Sequence, residues 1–147
     1  MTVIAIDTNV LIYAHRREGP WHQQASDALK TVAEGHLPWG IPSPCLAEFL
    51  AIVTGFRGAI TATPLADALA QATEWLRAPH ASLLHSGVSH AEVLFSLAKA
   101  ANLKGGQFHD ARIAAICIEN GVTELWTADR DFSRFPRLNT RNPLVTA

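Results

Sequence analysis

The chain has 147 residues, of which 48% are hydrophobic and 17% are charged, and its formal net charge at pH 7 is −1. This composition excludes a wholly disordered chain, and the length is typical of one domain, predicted here to span residues 1–147. The small net charge gives no global basic field, so any contact with nucleic acid must come from a local patch.

The sequence also indicates a compartment. The first residues have neither the basic segment nor the cleavage site of a secretory signal, and no apolar stretch reaches the length of a membrane span. Cys45 and Cys117 lie far apart within apolar helical patterns, so we predict two buried free thiols. We expect a soluble, cytoplasmic protein.

The chain begins with a buried strand that ends at an acid. Residues 3–6 are β-branched or apolar, which is typical of a strand buried on both faces. Asp7 follows, and Thr8 or Asn9 is predicted to cap a short helix that ends near residues 16–19. Asp7 would therefore lie at the carboxyl end of a central strand, where open α/β sheets place their ligand crevice.

Proline, glycine and periodicity signals define the other elements in chain order. Up to residue 85 we predict a helix over 21–33 opened by Pro20, a strand over 39–42, a helix over 45–54 opened by Ser43-Pro44, a loop over 56–63, a helix over 65–77 and a strand over 81–85. Beyond it we predict a helix over 93–101, a helix through Asp110 that is closed by Asn120-Gly121, a strand over 122–127 and a mostly irregular tail over 134–147.

Strands that alternate with helices predict an α/β protein with a three-layer α/β/α arrangement around a mostly parallel central sheet. Most acids have ordinary explanations in this scheme. Glu119 is predicted to be solvated, and Glu92 lies three residues after Ser89, which is the spacing of a capping box.

Four acids resist such explanations: Asp7 after the first strand, Glu48 in an apolar helix, Asp110 in another, and Asp129 after the last strand. Asp131 follows two residues behind Asp129. Unpaired carboxylates are costly to bury, and one cation could neutralise several of them together. Carboxylates without matching histidine or thiolate ligands suit Mg²⁺ or Mn²⁺ rather than Zn²⁺. Any one of these acids alone would be read as a helix cap or a surface residue.

Four motifs in this order carry a resemblance. They are Asp7-Thr8-Asn9, the mid-helix Glu48, residues 109–115 (His-Asp-Ala-Arg-Ile-Ala-Ala) and residues 127–132 (Thr-Ala-Asp-Arg-Asp-Phe). Together they resemble a PIN domain, and more narrowly the VapC-type ribonuclease toxins of bacterial toxin–antitoxin pairs. The resemblance covers nearly the whole chain.

The resemblance implies a Mg²⁺- or Mn²⁺-dependent endoribonuclease that acts on a structured RNA such as tRNA or rRNA. Carried over by motif, the catalytic and metal-binding acids would be Asp7, Glu48, Asp110 and Asp129, with Asp131 near the metal and an alternative to Asp129 as the fourth acid. Thr8, Asn9 and Thr127 would support them. The resemblance further implies a cognate VapB-like antitoxin and a symmetric homodimer.

Basic residues accompany the last two motifs. Arg112, Arg130 and Arg134 lie within or just after them and could bind RNA phosphates. Ordinary solubility explains these arginines equally well.

Two other functional classes share features with this sequence. A phosphatase of the haloacid dehalogenase type also begins with an aspartate after the first strand, but it needs a second aspartate where this chain has Asn9. A non-catalytic PIN-like module that binds RNA or a protein partner is the alternative to an enzyme. The intact set of four acids argues against that alternative.

Overall fold

The computed structural model describes residues 1–55 and 61–145. Five strands form one sheet in the order β3-β2-β1-β4-β5, and every pairing between neighbours in the described residues is parallel. The strands are β1 (Ile4–Ile6), β2 (Trp39–Pro42), β3 (Ala81–Leu84), β4 (Glu124–Trp126) and β5 (Asn139–Arg141). The predicted parallel α/β fold is confirmed.

Two groups of helices cover the sheet and make the three-layer architecture. The helices are α1 (Thr8–His15), α2 (His22–Glu34), α3 (Ser43–Thr54), α4 (Leu65–Leu76), α5 (His90–Ala101) and α6 (Gln107–Glu119). Helix α1 packs against α2 and α3, α3 packs against α4, and α5 packs against α6. A short 3₁₀ helix, Arg130–Arg134, follows β4.

The register of the central strands places the first motif beside the last. Ile6 of β1 pairs with Trp126 of β4, so the next residues, Asp7 and Thr127, emerge side by side at the carboxyl edge of the sheet. The Asp7 N–H donates to the Trp126 carbonyl at 3.0 Å, which holds this register to the end of the strand. Because β1 is central, Asp7 enters the crevice at its middle.

Two predicted helix caps are wrong. Asp7, rather than Thr8 or Asn9, is the N-cap of α1, because its extended backbone lets its own carboxylate accept the Thr8 N–H. Helix α3 begins at Ser43 itself, with Pro42 as the N-cap and no side-chain cap. The chain passes directly from β2 into α3, which leaves no residue to spare for a polar cap.

Two other helix starts also differ from the prediction. Helix α2 begins at His22, because Trp21 has a left-handed backbone with φ 57° and cannot continue the helix toward Pro20. The capping box of Ser89 and Glu92 is absent: Ser89 makes no side-chain cap hydrogen bond, and Glu92 is exposed.

The predicted irregular tail contains a strand. Residues Asn139–Arg141 pair in parallel with β4 as the edge strand β5. Their side chains are polar and exposed, so no apolar alternation in the sequence signals them, and the backbone groups of β4 supply the pairing. Most of the predicted loop over 56–63 lies outside the described residues, as do residues 146 and 147.

Cys45 and Cys117 are buried free thiols, as predicted. Among the residues that the structure describes, no helix is both long enough and apolar enough to cross a membrane.

Candidate active site and metal centre

Asp7 is buried, with 5% of its surface exposed, and both carboxylate oxygens are engaged. Oδ1 accepts the Thr8 N–H at 2.8 Å and the Cys45 Sγ–H at 3.3 Å. Oδ2 accepts the Thr127 hydroxyl at 2.7 Å and the Asn9 amide at 3.4 Å. These donors fix the orientation of the carboxylate and compensate in part for its burial.

Burial raises the pKa of Asp7 above its ordinary value, and the charge of Glu48 adds to the rise. The hydrogen bonds from Thr127, the Thr8 backbone and Cys45 oppose it. Burial and the neighbouring Asp7 also raise the pKa of the Cys45 thiol well above its ordinary value. The thiol therefore stays protonated, as its role as donor to Asp7 requires.

Thr127 joins the first motif to the last. Its hydroxyl donates to Asp7 Oδ2 and accepts the Asp129 N–H at 3.0 Å, and the side chain is 3% exposed. Asn9 supports the same junction, because its Oδ1 accepts the Ala128 N–H at 3.1 Å. The loop that carries Asp129 is thus tied to Asp7 by side chains at the ends of adjacent strands.

Glu48 approaches this centre from α3. The Thr8 hydroxyl donates to Glu48 Oε2 at 3.2 Å, which links the carboxylates of Asp7 and Glu48 through one residue. The sequence predicted that apolar neighbours would enclose this carboxylate, but Glu48 is exposed. Cys45 and Phe49, which are four residues apart and so lie on one face of the helix, form its buried side. Its charge is therefore open to a ligand in the crevice.

Asp110, Asp129 and Asp131 form a second cluster, called here the three-acid group. One carboxylate oxygen from each lies within 4.8 Å of the other two. Asp129 Oδ1 accepts the Asp131 N–H at 2.8 Å and caps the 3₁₀ helix, so these two acids are held together by the backbone. Among the described residues, this group includes neither Asp7 nor Glu48.

The like charges at this centre perturb Asp110. Its pKa is raised to about 6, first by burial and then by the charges of Asp129, Asp7 and Asp131, while the Arg134 guanidinium opposes the rise. Asp7 contributes to this rise, so its charge is close enough to act on the three-acid group. Perturbed pKa values of this kind are typical of functional sites.

A pH dependence of stability follows from the raised pKa of Asp110. Since the carboxyl titrates at 3.8 when unperturbed and at about 6 in the folded chain, its ionisation destabilises the fold progressively as pH rises between these values. Without divalent metal, Asp110→Asn should unfold like the parent at pH 3.5 and be about 1–2 kcal/mol more stable at pH 7, because solvent screening reduces the effect at this partly exposed carboxyl. Denaturant unfolding at both values measures this. Asp27→Asn, a substitution of an exposed acid, serves as the control; an equal gain there would contradict the assignment.

The donors fit a hard divalent cation. All of them are carboxylate oxygens, and their spacing within 4.8 Å approaches the separation of about 3–4 Å between oxygens around Mg²⁺. Without a cation, three carboxylates this close would repel one another. The residues at this centre are therefore suited to Mg²⁺ or Mn²⁺.

The three arginines predicted near the site lie in different surroundings. Arg134 Nη1 is 3.9 Å from Asp110 Oδ2, and Nη2 is 3.8 Å from Asp131 Oδ1. Arg112 and Arg130 are exposed, and neither forms an ion pair with a described residue.

Two contacts were missed by the sequence reasoning. Cys45 donates to Asp7, and its position just after β2, the strand that pairs with β1, is the signal that could have found this contact. Glu119, predicted to be solvated, has a side chain only 5% exposed. It pairs with His90 Nδ1 at 2.6 Å and accepts the Gly87 N–H at 2.8 Å, and nothing local in the sequence indicates these distant partners.

Comparison with known proteins identifies the class. The PIN domain family model matches residues 4–138. Ribonuclease VapC43 of Mycobacterium tuberculosis is 37% identical over 97% of this chain and 96% of its own length. The chain therefore belongs to the PIN-domain family, and within it to the VapC group.

Solved structures agree on the fold. VapBC2 from Rickettsia felis, bound to a DNA fragment from its promoter, matches with a TM-score of 0.70 at 19% identity over 96% of this chain and 98% of the other. VapC20 of Mycobacterium tuberculosis, described as a toxin that cleaves the sarcin-ricin loop, matches with a TM-score of 0.63 at 18% identity over 88% and 92%.

Proposed function

We propose that this chain is a metal-dependent endoribonuclease and the toxin of a VapBC-like toxin–antitoxin pair. The observation that carries the proposal is the three-acid group, with carboxylate oxygens within 4.8 Å, tied through Thr127 to the buried Asp7. This arrangement occurs in a chain whose relative at 37% identity is named a ribonuclease.

The proposed metal ligands are Asp110, Asp129 and Asp131, together with Asp7 and Glu48 from the neighbouring cluster. Bound Mg²⁺ or Mn²⁺ would supply an acidified water and a counter-charge for the phosphodiester. The residues of the chain orient these ligands. Thr127 and Asn9 hold Asp7, the Thr8 hydroxyl holds Glu48, and the cap on the 3₁₀ helix holds Asp129.

Phosphodiester hydrolysis at the carboxyl edge of the sheet requires that the negative charge of the acids be neutralised or reversed. The crevice carries several carboxylates, which would repel the anionic RNA backbone unless a divalent cation were bound. We infer that metal loading precedes productive RNA binding. The exposed Arg112 and Arg130 are proposed to contact flanking phosphates.

The substrate and partners are inferred from relatives. Since VapC20 is described as cleaving the sarcin-ricin loop, we propose a structured RNA, rRNA or tRNA, as the target. Because VapBC2 is a VapBC assembly, we propose a VapB-like antitoxin as the partner. The homodimer, the cytoplasmic location and the single domain over 1–147 stay predictions.

The test is cleavage of purified rRNA and tRNA by the purified chain with Mn²⁺ or Mg²⁺, followed by gel electrophoresis. We expect discrete fragments that disappear with EDTA and return with excess metal. Glu48→Gln should reduce cleavage by about 10- to 100-fold, because it removes one charge from the metal environment. Glu92→Gln, at an exposed glutamate, is the matched control and should cleave normally.

Two outcomes would count against the proposal. Cleavage that survives EDTA would indicate chemistry without a metal. RNA binding without any cleavage would favour the alternative, a non-catalytic PIN-like binding module.

A further inference from the structure

Arg134 is a cation placed against the acids of the site. Its side chain is 32% exposed, and its two terminal nitrogens lie 3.9 Å from Asp110 Oδ2 and 3.8 Å from Asp131 Oδ1. The two carboxylates belong to different elements, α6 and the 3₁₀ helix. One planar guanidinium therefore spans two members of the three-acid group, which a lysine ammonium would do less well.

The backbone of Arg134 is anchored rather than free. Phe132 and Phe135 are each 1% exposed, and their ring centroids lie 6.3 Å apart in an edge-to-face arrangement. These buried rings flank Arg134 in the chain, so the 3₁₀ helix that carries it is fixed to the core. The backbone from which the Arg134 side chain extends is consequently held close to the acids.

Arg134 differs from the other basic residues nearby in its contact with the acids. Arg130 lies in the same 3₁₀ helix but is exposed and forms no ion pair with any described residue. Over residues 1–55 and 61–145, Arg134 is the one cation paired with the three-acid group. Charge alone does not explain why Arg134 pairs with the acids, because Arg130 carries the same charge and does not.

We propose that Arg134 is a built-in counter-ion of the three-acid group that competes with the divalent cation and so lowers the affinity of the site for metal. The inference rests on the proposed function, in which this group holds the metal. The guanidinium and the cation draw on the same two carboxylates, and their like charges repel one another. A bound cation would therefore weaken the contact of Arg134 with Asp110 and Asp131 and free its guanidinium beside the site.

The released guanidinium has a defined use. It is planar and bidentate, which suits a phosphate oxygen pair of the RNA backbone. Arg134 thus stabilises the acids when metal is absent and faces the substrate when metal is bound. In this arrangement, a site that is depleted of metal has part of its negative charge neutralised by Arg134.

The test measures Mn²⁺ affinity, not activity, by isothermal titration calorimetry of the full chain at low ionic strength. Arg134→Gln should bind Mn²⁺ about 3- to 10-fold more tightly than the parent, the range of a partly exposed ion pair. Arg130→Gln makes the same charge change without a contact to the acids and should stay within about twofold. Arg134→Lys keeps the charge but loses the two-nitrogen guanidinium, so its Mn²⁺ affinity should lie between those of the parent and Arg134→Gln.

The possible results distinguish a failure of the counter-ion role of Arg134 from a failure of the proposed metal-dependent function. If Arg134→Gln binds Mn²⁺ no more tightly than Arg130→Gln, the counter-ion role is refuted while metal binding stands. If the parent itself binds no Mn²⁺ at millimolar concentration, the proposed function fails. Far-ultraviolet circular dichroism confirms folding, and Arg134→Lys decides the question should Arg134→Gln not fold.

Discussion

Replacing Asp7 with asparagine is expected to reduce RNA cleavage by at least about 100-fold, the largest loss that we predict for one substitution. Asp7 lies at the carboxyl end of the central strand, and its carboxylate is oriented by donors from four residues. The substitution keeps the size of the side chain but removes its charge and one acceptor. Cleavage rates at saturating Mn²⁺ provide the measurement.

The fold should survive this change. Since burial raises the pKa of Asp7, its ionised form is costly in the folded chain, and the neutral amide avoids that cost. The lost acceptor toward Thr127 and Asn9 offsets part of the gain, so the stability at pH 7 should stay within about 1–2 kcal/mol of the parent. Asp27→Asn, at an exposed acid, should change neither quantity. Inactivity caused by unfolding, seen as a lost thermal transition, would contradict a direct role for Asp7.

Replacing Thr127 with valine is the second substitution with a large expected effect. Valine has nearly the same shape but lacks the hydroxyl that donates to Asp7 Oδ2 and accepts the Asp129 N–H. We expect a loss of about 10- to 100-fold in cleavage, because the proposed ligands Asp7 and Asp129 lose their orientation. The stability should fall by about 1–3 kcal/mol, because buried polar groups are left without partners.

Thr127→Ser separates the hydroxyl from the methyl group. Serine keeps both hydrogen bonds and should retain most activity, with a cost in stability of about 1 kcal/mol for the lost methyl. Denaturant unfolding and single-turnover cleavage of both variants decide the matter. Equal activity of Thr127→Val and Thr127→Ser would show that the hydroxyl does not organise the site.

Much of the fold could be predicted because its signals are local. The apolar run at residues 3–6 becomes β1, and the asparagine and glycine at 120–121 close α6, where Gly121 has φ 69°. Edge strand β5 escaped prediction, since its polar residues are ordered by pairing with β4. The local pattern also gave a wrong prediction at Ser89: serine is a common capping residue, but its side chain makes no cap hydrogen bond here.

The candidate site was found through residue type. A buried aspartate directly after a strand is costly without a compensating charge, so the position of Asp7 indicates a ligand. Glu48 was selected for the same reason, but the structure leaves it exposed. Sequence spacing could not show that the acids separate into the three-acid group and the linked pair of Asp7 and Glu48. It also could not show that Arg134, predicted to bind RNA, rests against two of those acids.

Local sequence signals were enough to predict the alternation of strands and helices, the acids that follow the strands and the resemblance to a PIN domain. These features depend on neighbours a few residues away, where propensity and periodicity act. Three contacts became visible only in the folded chain: the junction at Thr127, the contact of Cys45 with Asp7 and the pairing of His90 with Glu119. Those contacts join residues separated by 29 to 120 positions. They form because sheet register and helix packing bring together side chains that are far apart in the sequence, and no local sequence pattern indicates such pairs.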